Sequence, residues 1–248
     1  MRLNNKTALI TGGASGFGAG IGKKFIAEGA KVVLADINGD AANEMARSLG
    51  DGATAIQMDV SSNASVEQGA KQVFSRFPTL DIVVNNAGVT HLPAELEAIS
   101  EEDFDRVIAV NAKSVYLMAK HFIPAMKKIG AGAVLNVAST AGVSPRPRLS
   151  WYNASKGFMI TATKSMAVEL APYGVRVNAI NPVAGETPLL KSFMGEDTPE
   201  VRAKFISTIP LGRFSTAEDM GNAAAFLCSD EASMITGVAM EVDGGRCI

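Results

Sequence analysis

Two hydrophobic rhythms alternate along this chain. Short runs at residues 7–10, 31–35, 54–58, 82–84, 133–137, 175–180 and 238–242 are mostly β-branched or aliphatic. Such runs predict strands buried on both faces, because a strand with one solvated face would alternate apolar with polar residues. Between most of them lie longer stretches of helical pattern, such as 18–28, 39–49, 65–77 and 154–171. Strands that alternate with helices imply crossover connections, and hence a doubly wound parallel sheet with helices on both faces. No internal repeat, low-complexity tract or linker interrupts the pattern, so 1–248 is expected to be one α/β domain.

Two places depart from the rhythm. The connection from Pro182 to Pro199 is long, and with Pro188 and the nearby Pro210 it is rich in proline. Connections of this length in compact domains are lids or surface insertions; residues 183–210 are taken as a substrate lid. The other place is Asn111. Phe104, Ile108, Val115, Met118 and Phe122 mark an apolar helical stripe, and Asn111 lies on it where Ala or Leu would be expected. A buried amide without partners costs on the order of 1–3 kcal/mol. A local break in the backbone, a held water or a bridge to a neighbouring loop would satisfy it.

Composition adds exclusions. An apolar fraction of 47% with 19% charged residues predicts a packed globule rather than a disordered chain. Lys and Arg total 23 against 25 Asp and Glu, so no basic face is expected for nucleic acid or an anionic membrane. The first residues lack the apolar core of a secretory signal, and no apolar run approaches the roughly 18 residues of a spanning helix. A cytoplasmic protein is expected, with Cys228 and Cys247 as free thiols. His91 and His121 are the only histidines, which leaves no histidine-rich metal site and makes zinc chemistry implausible.

The first strand runs into Thr11-Gly12-Gly13-Ala14-Ser15-Gly16-Phe17-Gly18, and a helix follows. Glycines there let the backbone turn sharply and approach a bulky anion, and the helix N-terminus offers N–H groups to a pyrophosphate. The second strand ends at Asp36, about 20 positions on, where a carboxylate can accept both hydroxyls of an adenine ribose. It would repel a 2′-phosphate, and Ser15, Ile37 and Asn38 supply no compensating cation. NAD is therefore expected over NADP. Asp59-Val60 and Asn85-Asn86-Ala87-Gly88 end the third and fourth strands, where they can border the adenine and its ribose.

Tyr152 and Lys156 stand four residues apart, on one face of a predicted helix. A free phenol titrates near 10; bringing it near 7 needs roughly 4 kcal/mol of differential stabilisation. One exposed ion pair gives ~1 kcal/mol or less. Such a site must be partly desolvated or use more than one positive group. Ser139 follows the fifth strand at the same sheet edge, where its hydroxyl can donate to a substrate oxygen or cap a turn.

Thr11-Gly12-x-x-x-Gly16-x-Gly18, Asn85-Asn86-Ala87-Gly88, Asn111, Ser139 and Tyr152-x-x-x-Lys156, present together and in this order, resemble the short-chain dehydrogenases/reductases. The likeness runs from Lys6 to Gly245 and includes the unusual glycine spacing. It implies a Rossmann-type fold and an NAD(H)-dependent oxidoreductase. In that reading Tyr152 transfers the proton, Ser139 orients the substrate oxygen, Lys156 binds the nicotinamide ribose and lowers the tyrosine pKa, and Asn111 holds a water of a proton relay. Gly12, Ser15, Gly16, Phe17, Gly18, Asp36, Ile37, Asp59, Val60, Asn86, Ala87, Gly88, Tyr152 and Lys156 would contact the cofactor. Pro182, Val183 and Thr187 would contact its carboxamide, although many relatives carry Gly where this chain has Val183. The resemblance also implies a homotetramer.

The expected substrate is a small alcohol, sugar or aryl alcohol, or the matching carbonyl. Ser139, Thr140, His91, Trp151, Glu186 and Met194 are its expected contacts, with Thr90, Val143 and Phe193 beside them. Ser150-Trp151-Tyr152 and Gly185-Glu186-Thr187-Pro188 are similar to segments of bacterial hydroxymethyl-aryl and sugar dehydrogenases. Two alternatives remain: a 3-oxoacyl-[acyl-carrier-protein] reductase using NADPH, and a non-catalytic dinucleotide sensor.

Overall fold

A computed structural model describes all residues from Met1 to Ile248. In chain order the elements are β1 (Thr7–Thr11), α1 (Gly16–Ala27), β2 (Lys31–Asp36), α2 (Gly39–Leu49), β3 (Ala53–Gln57), α3 (Asn63–Arg76), β4 (Ile82–Asn85), α4 (Glu101–Ile108) and α5 (Ser114–Ile129). Then come β5 (Gly132–Val137), α6 (Ser150–Leu170), β6 (Val175–Pro182), α7 (Leu190–Met194), α8 (Pro199–Ile206), α9 (Ala217–Cys228) and β7 (Ala239–Val242). The seven strands form one sheet in the order β3-β2-β1-β4-β5-β6-β7, every pair parallel.

Every predicted strand is present, with ends displaced by at most two residues. Successive side chains explain why these runs are apolar throughout. Leu9, Val33, Val83 and Val134 enter one buried cluster, with residues of α3, α5 and α6. Their neighbours Ile10, Leu34, Val84 and Leu135 enter the other, with residues of α1 and α9. Period-two side-chain direction serves two cores at once.

Helix ends follow local chemistry. Asn38, Ser62, Ser100, Thr198 and Thr216 each cap a helix by accepting from a backbone N–H. Three predicted starts move. The first helix begins at Gly16 rather than 18, α3 at Asn63 rather than 65, and α6 at Ser150 rather than 154, which puts Tyr152 in its first turn. The proline-rich connection is also more ordered than expected. It contains α7, and α8 starts at Pro199 behind the Thr198 cap, a position where the missing N–H costs no helical bond.

The apolar stripe around Asn111 is broken as that residue requires. Between α4 and α5 the backbone makes a π-helical turn over Ala109–Lys113. The register slips there, so Val107 rather than Ile108 is the fully buried residue of α4. Such turns are rare and frequently mark functional sites.

Candidate active site

A cavity of about 460 Å³ lies at the carboxyl ends of the strands, bordered by the turns after β1 and β4, where the strand order reverses. Asn86 holds that junction together. Its Nδ2 donates to the carbonyls of Thr11 (2.8 Å) and Gly12 (3.1 Å), while Thr11 Oγ1 accepts from the N–H groups of Asn86 and Ala87, each at 3.0 Å. Gly12 and Gly16 have φ of +62° and +53°, which a side chain disfavours. At Gly12 a Cβ would also lie 2.9 Å from Asn86 Nδ2.

The residues present fit a dinucleotide. Ser15 makes no side-chain cap, so the first-turn N–H groups of α1 remain available to an anion beside the Gly12–Gly16 wall. Asp36 Oδ2 accepts from Ala14 N–H and Oδ1 from Asn38 N–H. A carboxylate has about four acceptor positions, so about two remain, matching the two hydroxyls of a ribose. Asp36, Ile37, Asp59, Val60, Asn86, Ala87 and Gly88 all line the cavity, as do Phe17, Pro182, Val183 and Thr187.

At the other end Ser139, Tyr152 and Lys156 converge. Lys156 Nζ donates to Val137 O at the end of β5 (2.9 Å) and lies 5.8 Å from the Tyr152 ring centroid. Ser139 Oγ accepts from Ala141 N–H at 3.1 Å, capping a short turn, and its own hydrogen is free for the phenolic oxygen of Tyr152. Of the two roles expected for that serine, the turn cap is present. Burial pushes the phenol up to about 12, against the Ser139 hydrogen bond, and pushes the ammonium down to about 8. The protein's own groups thus keep the tyrosine protonated at neutral pH, and Lys156 by itself does not reverse the effect of burial.

Asn111 does not line the cavity but stands directly behind it. Its side chain pairs with both backbone groups of Val89, accepting from N–H and donating to C=O at 2.9 Å each, and donates to Ser155 Oγ at 2.9 Å. Stranding either Val89 group would cost on the order of 1–3 kcal/mol. Asn111 Oδ1 and Lys156 Nζ flank Gly88 together, each 3.4 Å from where a Cβ there would sit.

Several expected contacts lie off the cavity wall. Gly18 is off the cavity wall; a Cβ would meet Gly12 O at 2.1 Å, so its lack of side chain serves the packing of α1 on the turn. Of the substrate contacts, Ser139 and Thr140 line the cavity, whereas His91, Trp151, Glu186 and Met194 do not. His91 is buried, its Nδ1 bound to Leu92 O. Trp151 turns outward, donating to Leu96 O and packing edge-on against Phe104. Glu186 is exposed beside a separate groove with Lys191, Asp197 and Arg202. Met194 packs against the small core of Val183, Leu190, Ile209 and Phe214. Thr90 and Val143 also lie off the wall, while Phe193 lines it, 5.0 Å edge-on from Tyr152. Val183 is explained by that same small core, where its side chain anchors the segment carrying α7 and α8.

The sequence reading missed Arg146, Leu149 and Phe205 on the wall. Arg146 had one available signal, a cation inside Pro145-Arg146-Pro147 between Ser139 and Tyr152. Phe205 had none, because α8 reaches the cavity only by tertiary folding. No group of three or more His, Cys, Asp or Glu is placed to hold a metal, and no helix is long and apolar enough to cross a membrane.

A family model described as enoyl-(acyl carrier protein) reductase matches residues 12–246. The chain is 48% identical to the 4-formylbenzenesulfonate dehydrogenase of Comamonas testosteroni, over the full length of both. It is 38% identical to the galactitol 2-dehydrogenase of Agrobacterium fabrum, over 99% of each. Among solved structures it superposes with a TM-score of 0.95 and 49% identity on a 3-ketoacyl-(acyl-carrier-protein) reductase from Brucella melitensis complexed with NADH, covering 99% of this chain and 100% of the other.

Proposed function

Because this chain belongs to the short-chain dehydrogenase/reductase family, we propose that it is an NAD(H)-dependent dehydrogenase of a small alcohol, sugar or aryl alcohol, or a reductase of the matching carbonyl. One observation carries the reading: a single cavity has Asp36 on its wall with no basic neighbour, and Ser139, Tyr152 and Lys156 converging elsewhere on it. The relatives named for dehydrogenation of 4-formylbenzenesulfonate and of galactitol support the aryl and sugar classes.

When bound, the nicotinamide supplies the hydride chemistry, exchanged with a carbinol or carbonyl carbon. The chain binds, orients and moves the proton. Asp36 takes the ribose hydroxyls, and the turn from Gly12 to Phe17 takes the pyrophosphate. Pro182, Val183 and Thr187 border the carboxamide, and Lys156 the second ribose. Ser139 donates to the substrate oxygen, which brings that oxygen to the Tyr152 hydroxyl. Tyr152 then gives its proton to a carbonyl oxygen, or as phenolate takes one from an alcohol. Asn111, fixed on Val89 behind Lys156, positions the route by which that proton reaches solvent. The segment 183–210, with α7 and α8, closes over the substrate; Phe193 of α7 and Phe205 of α8 are the contacts of those two helices with the cavity.

The carrier-protein reductase reading draws on the Brucella structure, which is itself complexed with NADH; Asp36 opposes the NADPH that reading expected, but the substrate is what separates it from the first. Reduction of NAD and NADP, measured with sugars, aryl alcohols, hydroxy acids and a 3-hydroxyacyl thioester, tests the proposal. NAD-linked oxidation of one of the first three classes is expected; a strong NADP preference, or thioester activity alone, would overturn it. We also propose a homotetramer, supported by Tyr116, Phe158 and Val168 lying exposed on α5 and α6. Sedimentation equilibrium is expected to give four times 25.8 kDa; a monomer at micromolar concentration would contradict it.

A further inference from the structure

Beside Tyr152 and Lys156 the wall is apolar and aromatic, formed by Leu149, Phe193 and Phe205, with a second cation, Arg146, among them. Arg146 lies in the segment between Ser139 and α6. Its guanidinium stacks on Phe205, Cζ 4.3 Å from the ring centroid, and its backbone carbonyl accepts from Asn153 Nδ2 at 2.7 Å. The side chain is therefore held from both ends. Yet its Nη2 is buried without a hydrogen-bond partner.

Arg246, from the C-terminal segment, comes close enough to act on it electrostatically. Arg246 Nη1 donates to Ser144 Oγ at 3.3 Å, and its Nε is also buried without a partner. Neither guanidinium is in any of the chain's ion pairs, so no carboxylate lies within 4.0 Å of either. Burial and the charge of Arg246 both depress the pKa of Arg146. A guanidinium remains charged in a protein all the same. Two like charges with stranded donors, Arg146 on the wall of an apolar cavity and Arg246 off it, form a site that the protein leaves without a counter-charge. A planar fork of N–H donors matches an oxyanion such as a carboxylate or sulfonate.

We infer that the substrate is an anion: a carboxylate or sulfonate on a flat apolar body, held by Arg146 with the assistance of Arg246 while its carbinol or carbonyl carbon meets Ser139 and Tyr152. The aromatic wall takes the flat body, and Arg146 takes the charge. This rests on the proposed function, which places the reacting carbon at Tyr152.

The test compares 4-(hydroxymethyl)benzoate with 4-(hydroxymethyl)benzamide, similar in shape but differing in charge. Wild type is expected to favour the anion by at least about tenfold in kcat/KM, the size of one charge-assisted hydrogen bond. In Arg146→Met that ratio falls to about one; Arg146→Lys keeps part of it, and Arg246→Met lowers it less. A variant damaged in folding loses both activities alike and leaves the ratio standing. Calorimetry with benzenesulfonate and benzenesulfonamide, with and without NADH, reads the same preference without turnover. Equal use of both alcohols by wild type, or an anion preference retained in Arg146→Met, would overturn the inference while leaving the dehydrogenase reading intact. Selective anion binding lost in Arg146→Met, with no alcohol oxidised, would instead sink the dehydrogenase reading alone.

Discussion

Tyr152→Phe is expected to lower turnover by at least about a hundredfold in both directions, the lower range for a lost general acid or base. The substitution removes one oxygen and keeps the ring, so the edge-on contact with Phe193 at 5.0 Å and the fit of α6 against the wall survive. The affinity for NADH, read by fluorescence titration, should change by less than ~3-fold, because the nucleotide is held mainly by the glycine turn and Asp36. The pH profiles carry the sign. Burial holds the phenol protonated, near 12 for the protein's own groups. Oxidation needs the phenolate, so kcat/KM for the alcohol should rise with pH. Reduction uses the phenol and should fall as pH passes the same pKa. A positively charged nicotinamide beside the phenol lowers that pKa, so the profile should turn at a lower pH in the loaded enzyme. Normal rates in Tyr152→Phe, or profiles of the same slope in both directions, would remove Tyr152 from the proton's path.

Asp36→Ala is expected to have the second large effect, on cofactor choice. A unit charge 4 Å from the carboxylate is repelled by about 4 kcal/mol at an effective dielectric of about 20. Removing the carboxylate should therefore raise kcat/KM for NADP by at least about a hundredfold. It should also weaken NAD roughly tenfold or more, through loss of hydrogen bonds to a charged acceptor worth about 1.5–3 kcal/mol each. Adding Ile37→Arg supplies a cation on the cavity wall, since Ile37 lines it and is 66% exposed. That double variant should prefer NADP. Steady-state kinetics with both cofactors decides it: an unchanged preference in Asp36→Ala would mean that the carboxylate's bonds to Ala14 and Asn38 are its whole role. Those bonds give the glycine turn a second reason to depend on Asp36, so a modest loss of thermal stability should accompany the change.

How far the chain could be read in advance depended on whether a signal was local. Strand position was legible because a strand buried on both faces must be apolar at nearly every residue, as Ala8, Leu9 and Ile10 show by entering opposite cores in turn. The placement of Tyr152 with Lys156 was legible because four residues on a helix is one turn. Asn111 was legible as a conflict, a polar residue on an apolar stripe; a π-helical turn lies there, but what satisfies the amide is the bridge to the Val89 backbone and Ser155, contacts that no local rule names. Gly18, by contrast, looked like a cofactor contact from spacing, but what approaches it is Gly12 O. Spacing shows that a side chain is excluded, not which group excludes it.

The substrate wall was the least legible part. Trp151 sits next to Tyr152 in sequence yet faces the other way, since successive helical residues point about 100° apart. Glu186 and Met194 lie on the right segment, but α7 and its turns decide which residues look inward, and Phe193 does. Arg146 and Arg246 stand a hundred positions apart and share one corner only because the chain ends beside the segment that follows β5.

The amino-acid order alone determined the sheet, the nucleotide turn and the Tyr152–Lys156 pair, because each is set by periodicity or by a spacing within one turn of backbone. Only the folded chain decided which loop side chains face the substrate and that two arginines meet without a counter-ion. Those depend on contacts between segments far apart in sequence, whose direction no local pattern specifies.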